Sequence, residues 1–394
     1  MKLSQRITTI NGGGSDGWGV FYKARAMKAD GIDVLELTIG EHDIPTDPAI
    51  LDAMHHAARG GHTGYAVVPG IKALRQRIAA RIASRTGVPT RAENIMVTPG
   101  GQAALFAAHM AVLNPGDTAA FIDPYYATYP GTIRSTGGVP RPIVTSSQTG
   151  FQPTREQLAA GTEGATSLLI NSPNNPTGAL YSADTMSAIA EVCRNHDLWL
   201  ISDEVYDTQV WDGSHITPRS LPDMAERTIV VGSMSKSHAM TGSRIGWICA
   251  PEAVVERLID LATNTTYGVP GFIQDAAVFA LDQGAALEEK VAAPFRRRRA
   301  LTIAALEKQN FVKALPAQGA MYVMLDIRAT GMSGEDFALA LLEQEHIAVM
   351  PGESFGTAAA GHVRVAMTIA DADYVAALDR LIRFASQLAS VAAK

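Results

Sequence analysis

In the stretch SMSKSHAMTGSRIGW, Lys236 stands among small hydroxyl residues and Arg244 follows in a Gly-Ser-Arg-Ile-Gly frame. Taken alone, a lysine in a loop after an apolar strand reads as a surface residue. Ser233, Ser235 and Arg244 change that reading. Hydroxyls and a forked guanidinium are what a phosphate monoester dianion needs. An amine beside a phosphate site can form a Schiff base with a carbonyl compound that carries its own phosphate, and pyridoxal phosphate is such a compound.

Two further places carry the same chemistry. TPGGQAAL sets Gly100, Gly101 and Gln102 at a helix start, where free backbone N–H groups and the helix dipole attract a phosphate. A glycine pair there also serves as a plain tight turn. Arg364, in HVRVAMTI, is flanked by apolar residues on an expected strand. A buried guanidinium is costly unless a carboxylate meets it. Within the chain that partner would be an Asp or Glu in an internal ion pair.

These residues must be positioned by the elements around them. From about Pro48 to Leu281, helical patterns alternate with short apolar runs, the pattern of a mostly parallel central sheet flanked by helices in an α/β fold. NIMVTPGG, TAAFIDPYY, SLLINSPNNP, LWLISDEVY, TIVVGSMSK and RIGWICAP each read as a strand ending in a loop, and open α/β sheets bind ligands at the carboxyl ends of their strands. Six loops are therefore expected at one site. Ser182 is expected to cap the helix that follows it. Beyond Gly284 a long Ala/Glu/Arg helix precedes QGAMYVMLDI, AVMPGESFG and VRVAMTI, which read as a second, smaller α+β domain. The expected division is an N-terminal arm with part of the small domain over 1–47, a large cofactor-binding domain over 48–284 and a small domain over 285–394.

The 394 residues are 47% hydrophobic and 18% charged, with a formal net charge of −6, so the chain is expected to fold with a large core. No basic stripe suited to nucleic acid or an anionic membrane is present, and the run Arg296 to Arg299 reads as a solvated helix face. Cys193 and Cys249 lie in apolar stretches and suit a reducing cytoplasm. No apolar run reaches membrane-spanning length, and the N-terminus lacks a signal-peptide core. No His/Cys/Asp cluster has metal-ligand spacing.

Taken in order, LTIGEHD, GYAVVPGIKALR, TPGGQAAL, DPYYATY, NSPNNPTGAL, ISDEVY, SMSKSHAMTGSRIGW and HVRVAMTI resemble the class I aminotransferases, the fold-type I pyridoxal-phosphate enzymes related to aspartate aminotransferase. SKSHAMTG followed by YGVPGFIQDAA looks most like the arginine:pyruvate transaminases within that family. The resemblance implies an amino-acid aminotransferase in which Lys236 holds the cofactor as an internal aldimine and then moves the proton. Asp203 would hold the pyridine nitrogen protonated. Tyr206 and Asn175 would bond the phenolic oxygen. Tyr126, with Tyr125 as the fallback, would stack on the ring. Gly100, Gly101, Gln102, Ser233, Ser235 and Arg244 would surround the phosphate.

Arg364 would take the substrate α-carboxylate, with Gly40 beside the substrate. The resemblance also implies a homodimer with shared sites, Tyr65 reaching the neighbour's phosphate and Tyr267 its substrate pocket. His42 departs from the proline of GEPD-type motifs and reads as structural. The same scaffold also supports β-lyases and decarboxylases, and a non-catalytic cofactor sensor is a third reading. The N-terminal segment is too short and too neutral to give such a sensor a DNA-binding appendage.

Overall fold

A computed structural model describes residues 1–13 and 17–392. Its strands are β1 (Leu35–Leu37), β2 (Ile95–Thr98), β3 (Thr118–Asp123), β4 (Val139–Val144), β5 (Ser167–Asn171), β6 (Trp199–Asp203), β7 (Thr228–Ser233), β8 (Gly246–Cys249), β9 (Lys313–Leu315), β10 (Tyr322–Asp326), β11 (Ile347–Pro351) and β12 (His362–Ala366). Two sheets result. The larger has seven strands in the order β2-β8-β7-β6-β5-β3-β4, and the smaller has five in the order β1-β11-β12-β10-β9.

Apart from the edge strand β4, the large sheet is buried on both faces, as the near-continuous apolar runs of its strands require. Along β6, Ile201 packs toward the helix Gly101–Val112 while Leu200 packs toward the helix Ala183–Asn195. Ser182 caps the latter helix as expected, accepting from the Thr185 backbone N–H at 3.1 Å. Val230, Ile95 and Val97 meet a third helical layer through Leu74, Ile78 and Ala277.

One strand runs against expectation. β3 to β7 pair in parallel, but β8 is antiparallel to both β2 and β7. The loop after RIGWICAP therefore lies at the far edge, and it is the start of β8, Gly246, that sits opposite Thr98 and Ser233. A strand buried on both faces has the same composition in either direction.

The helix Ala285–Leu306 packs on the small sheet and on the terminal helix Asp371–Ala392, with Phe295, Tyr374 and Leu378 in one core. The solvated reading of the arginine run holds for Arg296 and Arg297, which are exposed, and is corrected at Arg298. Arg298 is buried and forks onto Asp43 at 2.9 and 2.6 Å, with Asp371 at 2.7 Å and the Met367 carbonyl at 2.9 Å. Arg296 lies over the Trp211 ring, 5.5 Å from its centroid. Cys193 and Cys249 are buried free thiols. Among the described residues no helix is long and apolar enough to cross a membrane.

Candidate active site

The carboxyl ends of β2, β5, β6 and β7 open into a cavity of about 310 Å3, closed on its other side by Gly40, Tyr322 and Arg364 from the segments of the small sheet. It gathers Gly40, Gly101, Gln102, Tyr126, Asn175, Asp203, Tyr206, Ser233, Ser235, Lys236, Arg244 and Arg364.

Ser233 ends β7 and caps a single turn, Met234–Ser237, accepting from the Ser235 N–H at 3.1 Å. That turn aims Lys236 into the cavity, where its Nζ donates to the Gly40 carbonyl. Burial pulls the lysine below its ordinary pKa, and the Arg364 and Arg244 charges act in the same direction while Tyr322 and Glu41 oppose them. Gly40 has to be glycine, because a Cβ there would stand 1.8 Å from the Tyr322 hydroxyl.

Gly100 precedes the helix Gly101–Val112 with φ of 84°, a conformation open to glycine, and a Cβ would lie 2.3 Å from Arg244 Nη2. Gly100 itself sits just outside the cavity lining. Arg244 donates to the Thr241 carbonyl at 2.9 Å, and Gln102 is held by Thr132 at 2.7 Å and Thr128 at 3.0 Å. The helix start at Gly101, the Ser233 and Ser235 hydroxyls and the Arg244 guanidinium thus line the same cavity, and groups of this kind can form an anion corner.

Asp203 ends β6 at 4% exposure, in register with Asn171 at the end of β5. Its Oδ2 accepts from the Tyr129 hydroxyl at 2.8 Å and its Oδ1 from the Val205 N–H at 3.3 Å. Burial raises its pKa to about 6, because among the described residues no cation pairs with it. Asn171 donates to the Asp203 carbonyl at 2.9 Å and accepts from the Asn175 N–H at 2.7 Å, linking the two loops. The Tyr206 and Tyr322 hydroxyls are 3.1 Å apart. Tyr126 lines the cavity, whereas Tyr125 packs edge-on against Phe121.

Arg364 is 1% exposed and lies between the Tyr322 and Phe355 rings, 4.3 and 4.4 Å from their centroids. It donates to Asn175 Oδ1 at 2.9 Å and to the Thr38 carbonyl, and its Nε is buried without a partner. The alternative of an internal ion pair is not what the structure shows: among the described residues no carboxylate meets this guanidinium. Tyr65 and Tyr267 lie outside the cavity, 90% and 51% exposed, with ring centroids 5.0 Å apart.

The cavity also holds residues that sequence reasoning missed, notably Tyr129, Asn171, Tyr322 and Trp18. Tyr129 falls inside the quoted DPYYATY motif, so its spacing from Asp123 was a usable signal. Tyr322 reads as core because the residues that follow it, Val323, Met324 and Leu325, are all apolar.

The donor set suits pyridoxal phosphate. An amine, an anion corner and a buried carboxylate lacking its cation match the aldehyde, the phosphate and the ring nitrogen. Residues 32–381 match the family described as aminotransferase class I and II. The chain belongs to the class I and II aminotransferases.

This aminotransferase is 41% identical over 370 residues to the arginine–pyruvate transaminase AruH of Pseudomonas aeruginosa, with 94% of each chain covered. It is 34% identical over 365 residues to the aspartate/prephenate aminotransferase of Thermus thermophilus, covering 92% of this chain and 93% of that one. The solved aspartate aminotransferase of Thermus thermophilus with maleate superposes with a TM-score of 0.91 at 34% identity, over 98% of this chain and 100% of the other. The aminotransferase therefore has the aspartate aminotransferase fold and is a pyridoxal-phosphate-dependent enzyme that moves amino groups between amino acids and 2-oxo acids.

Proposed function

We propose that this aminotransferase works in the cytoplasm as a homodimer with shared active sites, taking L-arginine as amino donor and pyruvate as acceptor. The donor rests on the likeness to the Pseudomonas aeruginosa enzyme. The observation that carries the site is Arg364, a buried guanidinium with an unpartnered Nε and no carboxylate of its own among the described residues, facing the same cavity as Lys236. An α-carboxylate would complete it with two parallel hydrogen bonds.

When bound, pyridoxal phosphate supplies an electron sink that acidifies the Cα–H of an amino acid. The chain does the rest. Lys236, its pKa lowered by burial, is the amine that would accept a proton at Cα and return it on the other side of the reaction. Asp203 would hold the proton of the ring nitrogen, and Tyr129 keeps that carboxylate turned toward the cavity. Tyr206 and Asn175 would donate to the phenolic oxygen, while Ser233, Ser235, Arg244, Gly100, Gly101 and Gln102 would surround the phosphate. Arg364 fixes the substrate so that only the Cα–H faces the lysine, which favours transamination over loss of the carboxylate.

Segments 1–47 and 285–394 would act as one lobe and 48–284 as the other, with Tyr65 and Tyr267 crossing to the neighbouring subunit. Their exposure supports this role, since two large aromatic rings paired on the surface are suited to an interface. A half-reaction screen tests the reading: single amino acids are added to the purified yellow protein, and the amino donor is the one that bleaches its long-wavelength absorbance. Arginine should do so fastest. Bleaching by no amino acid at all would refute it.

A further inference from the structure

His42 occupies the position where GEPD-type motifs carry proline, and proline has no side-chain donor. In this chain the imidazole is folded inward. Its Nε2 donates to the backbone carbonyl of Lys236 at 3.0 Å, and its ring meets Phe295 edge-on at 5.3 Å. The same carbonyl accepts from Gln209 Nε2 at 3.3 Å. Lys236 is thus gripped from the main chain by two neutral donors and from the side chain by the Gly40 carbonyl.

The neighbours of His42 anchor it. Asp43 is forked by Arg298, which also binds Asp371 and the Met367 carbonyl, one residue past β12 that carries Arg364. Gln209 is tied to the small sheet through its own carbonyl, which accepts from the Ala320 N–H at 2.8 Å. The turn bearing the lysine is therefore connected through His42, Asp43 and Arg298 to the helix Ala285–Leu306 and the end of β12, and through Gln209 to Ala320, just before β10.

We propose that His42 is a positioning residue for Lys236: its hydrogen bond to the Lys236 carbonyl sets the direction in which the amine enters the cavity and couples it to the strand that presents Arg364. The proposal rests on the assignment of Lys236 as the reactive amine. Burial and the nearby Lys236 charge hold His42 down to about 4, so the imidazole acts as a neutral donor at working pH. Misplacing a proton-transfer group by a fraction of an ångström slows the chemical step more than it weakens binding.

The test uses the full-length, cofactor-loaded protein with His42→Leu, which keeps bulk but no donor, His42→Gln, which returns an N–H at similar reach, and His42→Pro. Turnover is measured with L-arginine and pyruvate, or with L-aspartate and 2-oxoglutarate where that pair is faster. The pH midpoint of the cofactor absorbance is followed without substrate. His42→Leu and His42→Pro should lower kcat by roughly threefold to tenfold, the range of one neutral hydrogen bond, with KM within about twofold. Both should shift the absorbance midpoint, and His42→Gln should restore most of each.

Unchanged kcat and midpoint in a folded His42→Leu protein would overturn the proposal, as would a folded His42→Gln protein as slow as His42→Leu. Where the variants do not fold, 15N NMR of wild-type histidines decides: His42 must be the Nε2–H tautomer and stay neutral to about pH 5, and a ring titrating near the ordinary histidine value of about 6.5 overturns it. Lys236→Ala that retains covalent cofactor would refute the assignment of Lys236 itself, a separate outcome from these.

Discussion

Arg364 Nη1 donates to Asn175 Oδ1 at 2.9 Å, joining β12 of the small sheet to the loop that leaves β5 of the large one. The guanidinium is thereby aimed at the cavity by a neutral amide, which holds it without neutralising it. Arg364→Ala should lower kcat/KM by roughly tenfold to a hundredfold for every amino and oxo acid, the scale of a lost charge-assisted hydrogen bond, while cofactor retention stays at the wild-type level. Steady-state kinetics and a dialysis assay of bound cofactor check this. Loss of cofactor as the main defect would place the arginine in another role.

Asp203 gives a pH prediction for the cofactor-free protein. Its pKa rises from the ordinary carboxylate value of 3.8 to about 6, so the folded form binds the proton more tightly than the unfolded chain. Stability is then unaffected below the unfolded value and falls as pH rises through the folded one. Asp203→Asn should stabilise the cofactor-free protein at pH 7 to 8 by up to on the order of 3 kcal/mol, read as a higher melting temperature, with the gap closing below about pH 4. The same variant, loaded with cofactor, should turn over far more slowly. A gap that grows on acidification would contradict the sign.

Tyr129→Phe removes the hydroxyl that donates to Asp203 at 2.8 Å. That bond favours the ionised form of Asp203, the form that would pair with a protonated ring nitrogen, so its loss should lower cofactor affinity by roughly tenfold, the scale of one such hydrogen bond. Fluorescence titration of the apo protein with pyridoxal phosphate measures it. Affinity equal to wild type would remove Tyr129 from the account.

A subunit-mixing experiment tests the shared site. Lys236→Ala and Tyr65→Ala homodimers should each be impaired, yet a mixed dimer holds one site with an intact lysine and the partner's intact tyrosine. Random reassortment of equal amounts should return about a quarter of all sites to wild type under two-fold symmetry. Activity that stays at the average of the two mutants, once exchange of subunits is demonstrated, would show that Tyr65 serves its own subunit.

Much of this was legible because the chemistry lies at strand ends. Asp203 and Ser233 are the last residues of β6 and β7, and an apolar run broken by a polar residue marks such an end in sequence. Direction and depth were not legible in the same way. β8 is buried on both faces, so nothing in its composition distinguishes antiparallel from parallel pairing. Arg298 reads as solvent-facing because its carboxylate partners, Asp43 and Asp371, are remote in the chain and meet it only after the two sheets dock. Tyr322 was hidden for a related reason, since an aromatic on an apolar strand reads as packing until its hydroxyl is seen beside that of Tyr206.

The central claim is that Lys236 is the amine that binds the cofactor, and it has a direct measurement. Borohydride reduction of the loaded protein, followed by proteolysis and mass spectrometry, fixes the cofactor to whichever lysine holds it. The account predicts a single modified peptide spanning SMSKSHAMTGSR with the label on Lys236, and no label in Lys236→Ala. A label on any other lysine, or one that survives the substitution, would contradict it.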